Sequence, residues 1–382
     1  MTTPNPPSPV RYDGPPAPDR VAERLGIPVE RIVKLDANES PYGPPPAALA
    51  ALADLARAGG GGRYPDAAAR ALCGALETYT GVATARIVVG NGSDELIALL
   101  ADLLLEPDDE VMVSEPTFAA YALAATRRFA RVVDAGRGGD DFTPDPERIA
   151  AAMNSNTRIV FLCGPNNPTG TPLPRETLLA VLARAEELSR HGAGPVVVLD
   201  EAYYEIGALG GDPNAWTAAP LLSGGRRLVV LRTFSKLFGL AGLRVGYALC
   251  PEDIASHLRE RKQPYNVNSA GQSAATAALS NIPWLRERAV ALLHERERLF
   301  AALAGFPSLR AFPSSANFLL VRAGGDDAAP LWQGLLDRGI LVRRFSGERM
   351  QSYLRITVGT PEQNDALLAA LTTICAKGMP DE

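Results

Sequence analysis

Histidine and cysteine are scarce in this sequence, with three of the first and four of the second among 382 residues. His191, His257 and His294 stand apart with no second ligand at a metal-site spacing, so no structural or catalytic metal is expected. Cys73, Cys163, Cys250 and Cys375 form no C-x-x-C pair and read as free buried thiols, because a chain this long needs no disulfides to hold a core. Long apolar runs are missing too. Stretches such as 196–199 and 103–105 fall far short of the roughly 20 residues that cross a bilayer. Lys and Arg are nowhere concentrated, and 38 basic against 43 acidic side chains leaves −5, so a nucleic acid finds no electrostatic footprint. The first nineteen residues hold seven prolines but neither the basic start nor the apolar stretch of a secretory signal, which makes a cytoplasmic location the default expectation.

What is present is the composition of a soluble globular protein large enough for two cores, 46% hydrophobic and 21% charged. From about residue 86 to 249, short β-branched runs alternate with longer helical ones. That pattern predicts an α/β fold, with a large domain built on a mostly parallel seven-stranded sheet covered by helices. Strands are expected at 87–90, 110–114, 131–134, 158–163, 196–200, 228–232 and 245–249, with crossover helices at 94–105, 118–126 and 174–189. After Pro264 the pattern changes to a long helical stretch, 271–303, broken near Ile282 and Pro283. Strand-like segments at 317–322 and 353–358 and helix-like ones at 330–338 and 361–376 then predict a smaller C-terminal α+β domain. The boundaries expected are 1–28 for a loosely held Pro-rich arm, 29–265 for the large domain and 266–382 for the small one.

Ligands of open α/β sheets sit beyond the carboxyl ends of the strands, so the residues that follow each strand matter most. The turn Gly90-Asn91-Gly92-Ser93-Asp94-Glu95 opens straight into a helix, either as a phosphate cradle of free N–H groups or as an ordinary cap at Ser93. Gly164-Pro165-Asn166-Asn167-Pro168-Thr169-Gly170 is a rigid turn, and such a turn can aim a side-chain amide into a cleft. Asp200 directly after an apolar strand must find a partner or serve as a helix N-cap, and Tyr203 lies three residues on. Lys236, flanked by Phe234, Leu237 and Phe238, is either a surface lysine or an amine whose desolvation favours nucleophilic use. Arg244 follows eight residues later. Together these groups suit a phosphorylated carbonyl cofactor that forms a Schiff base.

The ordered motifs Lys34-Leu35-Asp36-Ala37-Asn38-Glu39-Ser40-Pro41-Tyr42-Gly43, Arg63-Tyr64-Pro65-Asp66, the Gly90 turn, the Asn167 turn, Asp200 to Tyr203, Thr233 to Arg244, Pro264-Tyr265-Asn266-Val267-Asn268 and Leu354-Arg355-Ile356-Thr357-Val358-Gly359 span nearly the whole chain. They resemble the fold-type I pyridoxal-phosphate aminotransferases, and within them the histidinol-phosphate aminotransferase group. The resemblance implies that Lys236 binds the cofactor aldehyde and moves the substrate proton, while Asp200 pairs with the pyridine nitrogen. It implies that Tyr203 and Asn167 hydrogen-bond the phenolic oxygen and that Phe118 stacks on the ring. Ser93, Asp94, Ser235 and Arg244 would hold the phosphate. Arg355 would take the substrate α-carboxylate, and Arg343 with Tyr42 its distal, phosphate-bearing end. Tyr64 would reach the cofactor phosphate of a neighbouring subunit, which implies a homodimer with shared sites.

The sequence departs from the family's pattern at Gly164, where a small polar residue often precedes the turn, and at Arg343-Arg344-Phe345, where an Arg-Asp form also occurs. Strand alternation sends Arg343 and Arg344 to opposite faces, so only one can meet a substrate. The activity implied is amino transfer between L-histidinol phosphate and 2-oxoglutarate in histidine biosynthesis. The competing readings are an aromatic amino acid aminotransferase, a threonine-phosphate decarboxylase and, from a different class, a regulatory sensor domain without catalysis. The last lacks support because the chain starts with a Pro-rich arm instead of a basic helix-turn-helix.

Overall fold

The computed structural model describes residue 14 and residues 16–190 and 194–376; His191 and most of the Pro-rich start lie outside these. Seven strands form the larger sheet in the order Ile87–Gly90, Gly246–Leu249, Leu228–Thr233, Val196–Asp200, Thr157–Cys163, Glu110–Val113, Arg131–Asp134. Gly246–Leu249 runs antiparallel to both neighbours, and the other adjacent pairs are parallel. Val196–Asp200 and Leu228–Thr233 are buried along their whole length, which is why they read as unbroken apolar runs without alternation. Period two still operates within them. Val197 and Leu199 enter the core on one face, and Val196 and Val198 the core on the other. Among the expected strands, 87–90, 131–134 and 196–200 coincide with those observed, and the other four differ by one residue.

The second sheet has five strands, Val33–Leu35, Ile340–Arg344, Tyr353–Thr357, Phe318–Ala323 and Leu309–Ala311, in that order. Two features differ from the expected boundaries. Val33–Leu35, placed with the large domain by a start at residue 29, pairs in parallel with Ile340–Arg344 and so joins the small sheet. A three-residue Val-Lys-Leu strand has no local pattern, and its partner lies some three hundred positions away. Within the arm, Pro18–Leu25 is a helix, and Val21 packs against Leu336 and Leu341. Its proline sits in the first turn, where a missing N–H costs nothing, and Gly26 closes it in the left-handed conformation.

The break expected near Pro283 separates helices Ser269–Leu279 and Ile282–Leu303, with the proline again in a first turn. Near the end of the longer helix, Leu299 and Leu303 enter the core packed on the five-stranded sheet. Among the described residues no helix is long and apolar enough to cross a membrane.

Candidate active site

At the carboxyl edge of the large sheet, helix Ser93–Leu104 starts without a side-chain cap, with Gly92 in the preceding position. Ser93 is thus the first helical residue and not the cap, and its first-turn N–H groups are available to an anion. The glycines there are forced, Gly246 by close approach to backbone and Gly92 by its positive φ of 79° beside Arg244. A Cβ on Gly246 would lie 2.4 Å from the Ser93 nitrogen, and one on Gly92 would lie 2.6 Å from Arg244 Nη2. Arg244, itself at φ 55°, donates from Nη2 to Asp94 Oδ2 over 3.1 Å. Thr233 stands opposite Gly246 in the sheet, and its Oγ1 accepts from the Ser235 N–H, which sets the turn into Lys236 beside this helix start. Ser93, Asp94, Ser235 and Arg244 are therefore gathered at one corner.

Asp200 closes its strand at 3% exposure. Its Oδ2 accepts from the Tyr121 hydroxyl at 2.8 Å and its Oδ1 from the Ala202 N–H at 3.0 Å. It caps no helix, since the next one begins at Tyr204. Burial pushes its carboxyl up to about 6, and these two hydrogen bonds work the other way. Phe118 meets Tyr121 edge-on with ring centroids 5.6 Å apart. Glu201, pointing to the opposite face, is held by Arg232 at 2.9 Å and belongs to the core beneath the site.

Lys236 donates from Nζ to the Ala37 carbonyl at 3.2 Å and lies 5.5 Å from the Tyr203 ring centroid. Burial lowers the amine to about 8, and the Arg355 guanidinium acts in the same direction. An amine near that value is partly neutral at pH 7 to 8, as a nucleophile or proton carrier requires. The Tyr203 hydroxyl accepts from Asn38 Nδ2 at 2.9 Å. Asn167 Oδ1 accepts from Arg355 Nη1 at 2.6 Å, while Arg355 Nη2 donates to the Asp36 carbonyl at 2.7 Å. Asn166, by contrast, spends its amide on Thr169 Oγ1 within the turn and on the Pro116 carbonyl of a separate loop.

Loop 36–38 thus touches Arg355, Lys236 and Tyr203 in three successive residues. Asn38 was not singled out from the sequence, although an Asn before Glu-Ser-Pro suits the left-handed φ of 54° that it adopts. Tyr121 was missed as well, since a tyrosine inside a helical stretch reads as core.

Arg343 stands directly opposite Arg355 in the small sheet, which puts the two on one face. Arg344 goes to the other face and pairs with Asp327 at 3.0 Å. The structure does not gather two of the expected residues into this cluster. The Tyr42 ring faces Arg288, whose guanidinium lies 5.2 Å from its centroid, and Tyr64 is 82% exposed, stacked on Tyr265 at 4.6 Å.

Uncapped N–H groups beside Arg244, a buried carboxylate and a depressed lysine amine fit pyridoxal phosphate, with its phosphate, cationic ring nitrogen and aldehyde. The sequence model of aminotransferase class I and II matches residues 30–371. The chain belongs to this family. Among similar aminotransferases, the histidinol-phosphate aminotransferase of Roseiflexus castenholzii is 44% identical over 93% of this chain and 93% of its own. The enzyme of that name from Ralstonia nicotianae is 41% identical over 94% and 92%. The crystal structure of histidinol-phosphate aminotransferase from Sinorhizobium meliloti in complex with pyridoxal-5'-phosphate superposes with a TM-score of 0.84 at 27% identity, covering 96% of each chain.

Proposed function

We propose that the protein is a pyridoxal-phosphate-dependent aminotransferase that moves an amino group between L-histidinol phosphate and 2-oxoglutarate, giving imidazole acetol phosphate and L-glutamate. The observation that carries the substrate is the placement of Arg343 directly opposite Arg355, beside the Asn167–Arg355 contact. Residues directly opposite on one sheet face lie close enough for two guanidinium groups to share one anionic group. In histidinol phosphate a CH2–O–phosphate group on the amino-bearing carbon takes the place of the carboxylate that 2-oxoglutarate carries directly on its keto carbon. One forked guanidinium can grip either anion, with Arg343 adding the second charge a phosphate needs.

Bound pyridoxal phosphate supplies a ring that accepts electrons as the amino-bearing carbon loses its proton. Ser93, Asp94, Ser235 and Arg244 would hold its phosphate, Phe118 its face, and Tyr203 with Asn167 its phenolic oxygen. Asp200 would hold the positive ring nitrogen, a task for which a buried carboxylate already oriented by Tyr121 and the Ala202 N–H is suited. Lys236 Nζ, close to half protonated near pH 8, takes the proton from the substrate carbon as general base. The exposed, stacked Tyr64 and Tyr265 suit an aromatic contact with a second copy, so the active form is a homodimer in which Tyr64 serves the partner's site.

Offering histidinol phosphate, phenylalanine and threonine phosphate separately, each with 2-oxoglutarate, tests this reading. Glutamate should form fastest by a wide margin from the first. No glutamate from it, with turnover of phenylalanine, would favour the aromatic rival. Release of carbon dioxide from threonine phosphate would point to the decarboxylase.

A further inference from the structure

Tyr121 is fully buried on helix Ala120–Arg127, and each part of it meets a different element of the site. Its hydroxyl donates to Asp200 Oδ2 at 2.8 Å. One ring face stacks on Phe161, with centroids 4.6 Å apart and planes 7° from parallel, so the side chain is clamped against the sheet. Phe118 packs against the same ring at 89°. The phenol therefore links the carboxylate that would face a bound ring nitrogen to the aromatic side chain that would cover the ring.

We propose that Tyr121 is a positioning residue whose hydroxyl, donated to Asp200, keeps that carboxylate oriented and ionised toward the cofactor's ring nitrogen, while its ring sets the angle of Phe118. The assignment rests on the reading of the site as a pyridoxal-phosphate site. A hydrogen bond to a carboxylate stabilises its charged form. Without it Asp200 becomes more basic, and the proton it shares with the ring nitrogen shifts toward the carboxylate. Other groups acting on this pair are Asp94, which opposes ionisation of Asp200, and Lys236, which favours it. Cys163 lies beside Asp200 in the neighbouring strand, and Arg137 is the nearby cation on the Tyr121 and Cys163 side. Burial raises the Tyr121 phenol well above its ordinary value, so it remains a donor throughout the working range.

Tyr121→Phe deletes one oxygen and keeps both ring contacts. In the full-length protein loaded with ring-15N pyridoxal phosphate, this variant should move the nitrogen resonance toward the unprotonated position. Its kcat should fall ~tenfold, as expected for losing a hydrogen bond to a charged group, with KM for both substrates within about twofold. Replacing Tyr121 by 3-fluorotyrosine, a stronger donor of nearly the same shape, should move the resonance the opposite way, and this variant decides the matter if Tyr121→Phe fails to fold. An unmoved resonance in the folded variants would overturn the proposal even if kcat drops, because the hydroxyl would then act only through packing. Absence of any bound 15N signal in the unaltered protein would instead overturn the functional reading, and this assignment with it.

Discussion

Asp200 is a charge kept where charge is unfavourable. Its folded pKa, raised to about 6 from 3.8, means that the unfolded chain ionises it more readily than the native protein does. Such a group costs nothing below its unfolded value, and its stability contribution is lost as pH rises through the folded one. Asp200→Asn should therefore stabilise the cofactor-free protein by roughly 3 kcal/mol at pH 8 and by almost nothing at pH 3, as about two pKa units convert. Urea titrations of both forms at the two pH values measure this difference. A gain that does not depend on pH would show that ionisation is not the cause. Asp200 and Lys236 were legible in the sequence because each ends or follows a buried strand, where a charged side chain needs a reason. Asn38 and Tyr121 were not, because what makes them part of the site is a partner 165 and 79 positions away.

Between elements, Arg232 ties the strand Leu228–Thr233 to the Asp200–Tyr203 turn. It lies 2.9 Å from Glu201 and 3.9 Å from Glu205, while Thr217 and the Ala218 N–H also donate to Glu201. Burial pushes Glu205 up to about 7, so the cluster holds two carboxylates that one guanidinium has to satisfy. Arg232→Met should cost about 3–5 kcal/mol, the range for leaving buried charges uncompensated, with part of the loss recovered in Arg232→Met/Glu201→Gln. Denaturant melts of the single and double variants check it; equal stabilities for both would contradict a charge origin. At this scale the long sheet was readable from its Val-rich runs and the turns between them. The pairing of Val33–Leu35 with Ile340–Arg344 was not, since register across such a separation is fixed by tertiary packing alone.

At the scale of the whole molecule the stacked Tyr64 and Tyr265 are exposed, and the homodimer proposed above gives them a partner. Lys236→Ala and Tyr64→Ala should each impair activity, and a refolded equimolar mixture should regain about a quarter of the unaltered activity, because a hybrid dimer owns one site with both residues intact. A mixture no more active than its components would show that Tyr64 serves its own subunit. The seven-stranded sheet, two of the five strands of the second sheet and the order of the motifs were apparent in one dimension; where Tyr42 points was not, because its cation partner Arg288 comes from a helix 246 positions further along.

One amine has to carry the cofactor's aldehyde. Borohydride reduction of the cofactor-loaded protein, followed by peptide mass mapping, should find the reduced pyridoxyl phosphate on Lys236 and on no other lysine, and prior incubation with histidinol phosphate should prevent the labelling. A label on a different lysine, or one that survives the incubation, would contradict that role for Lys236.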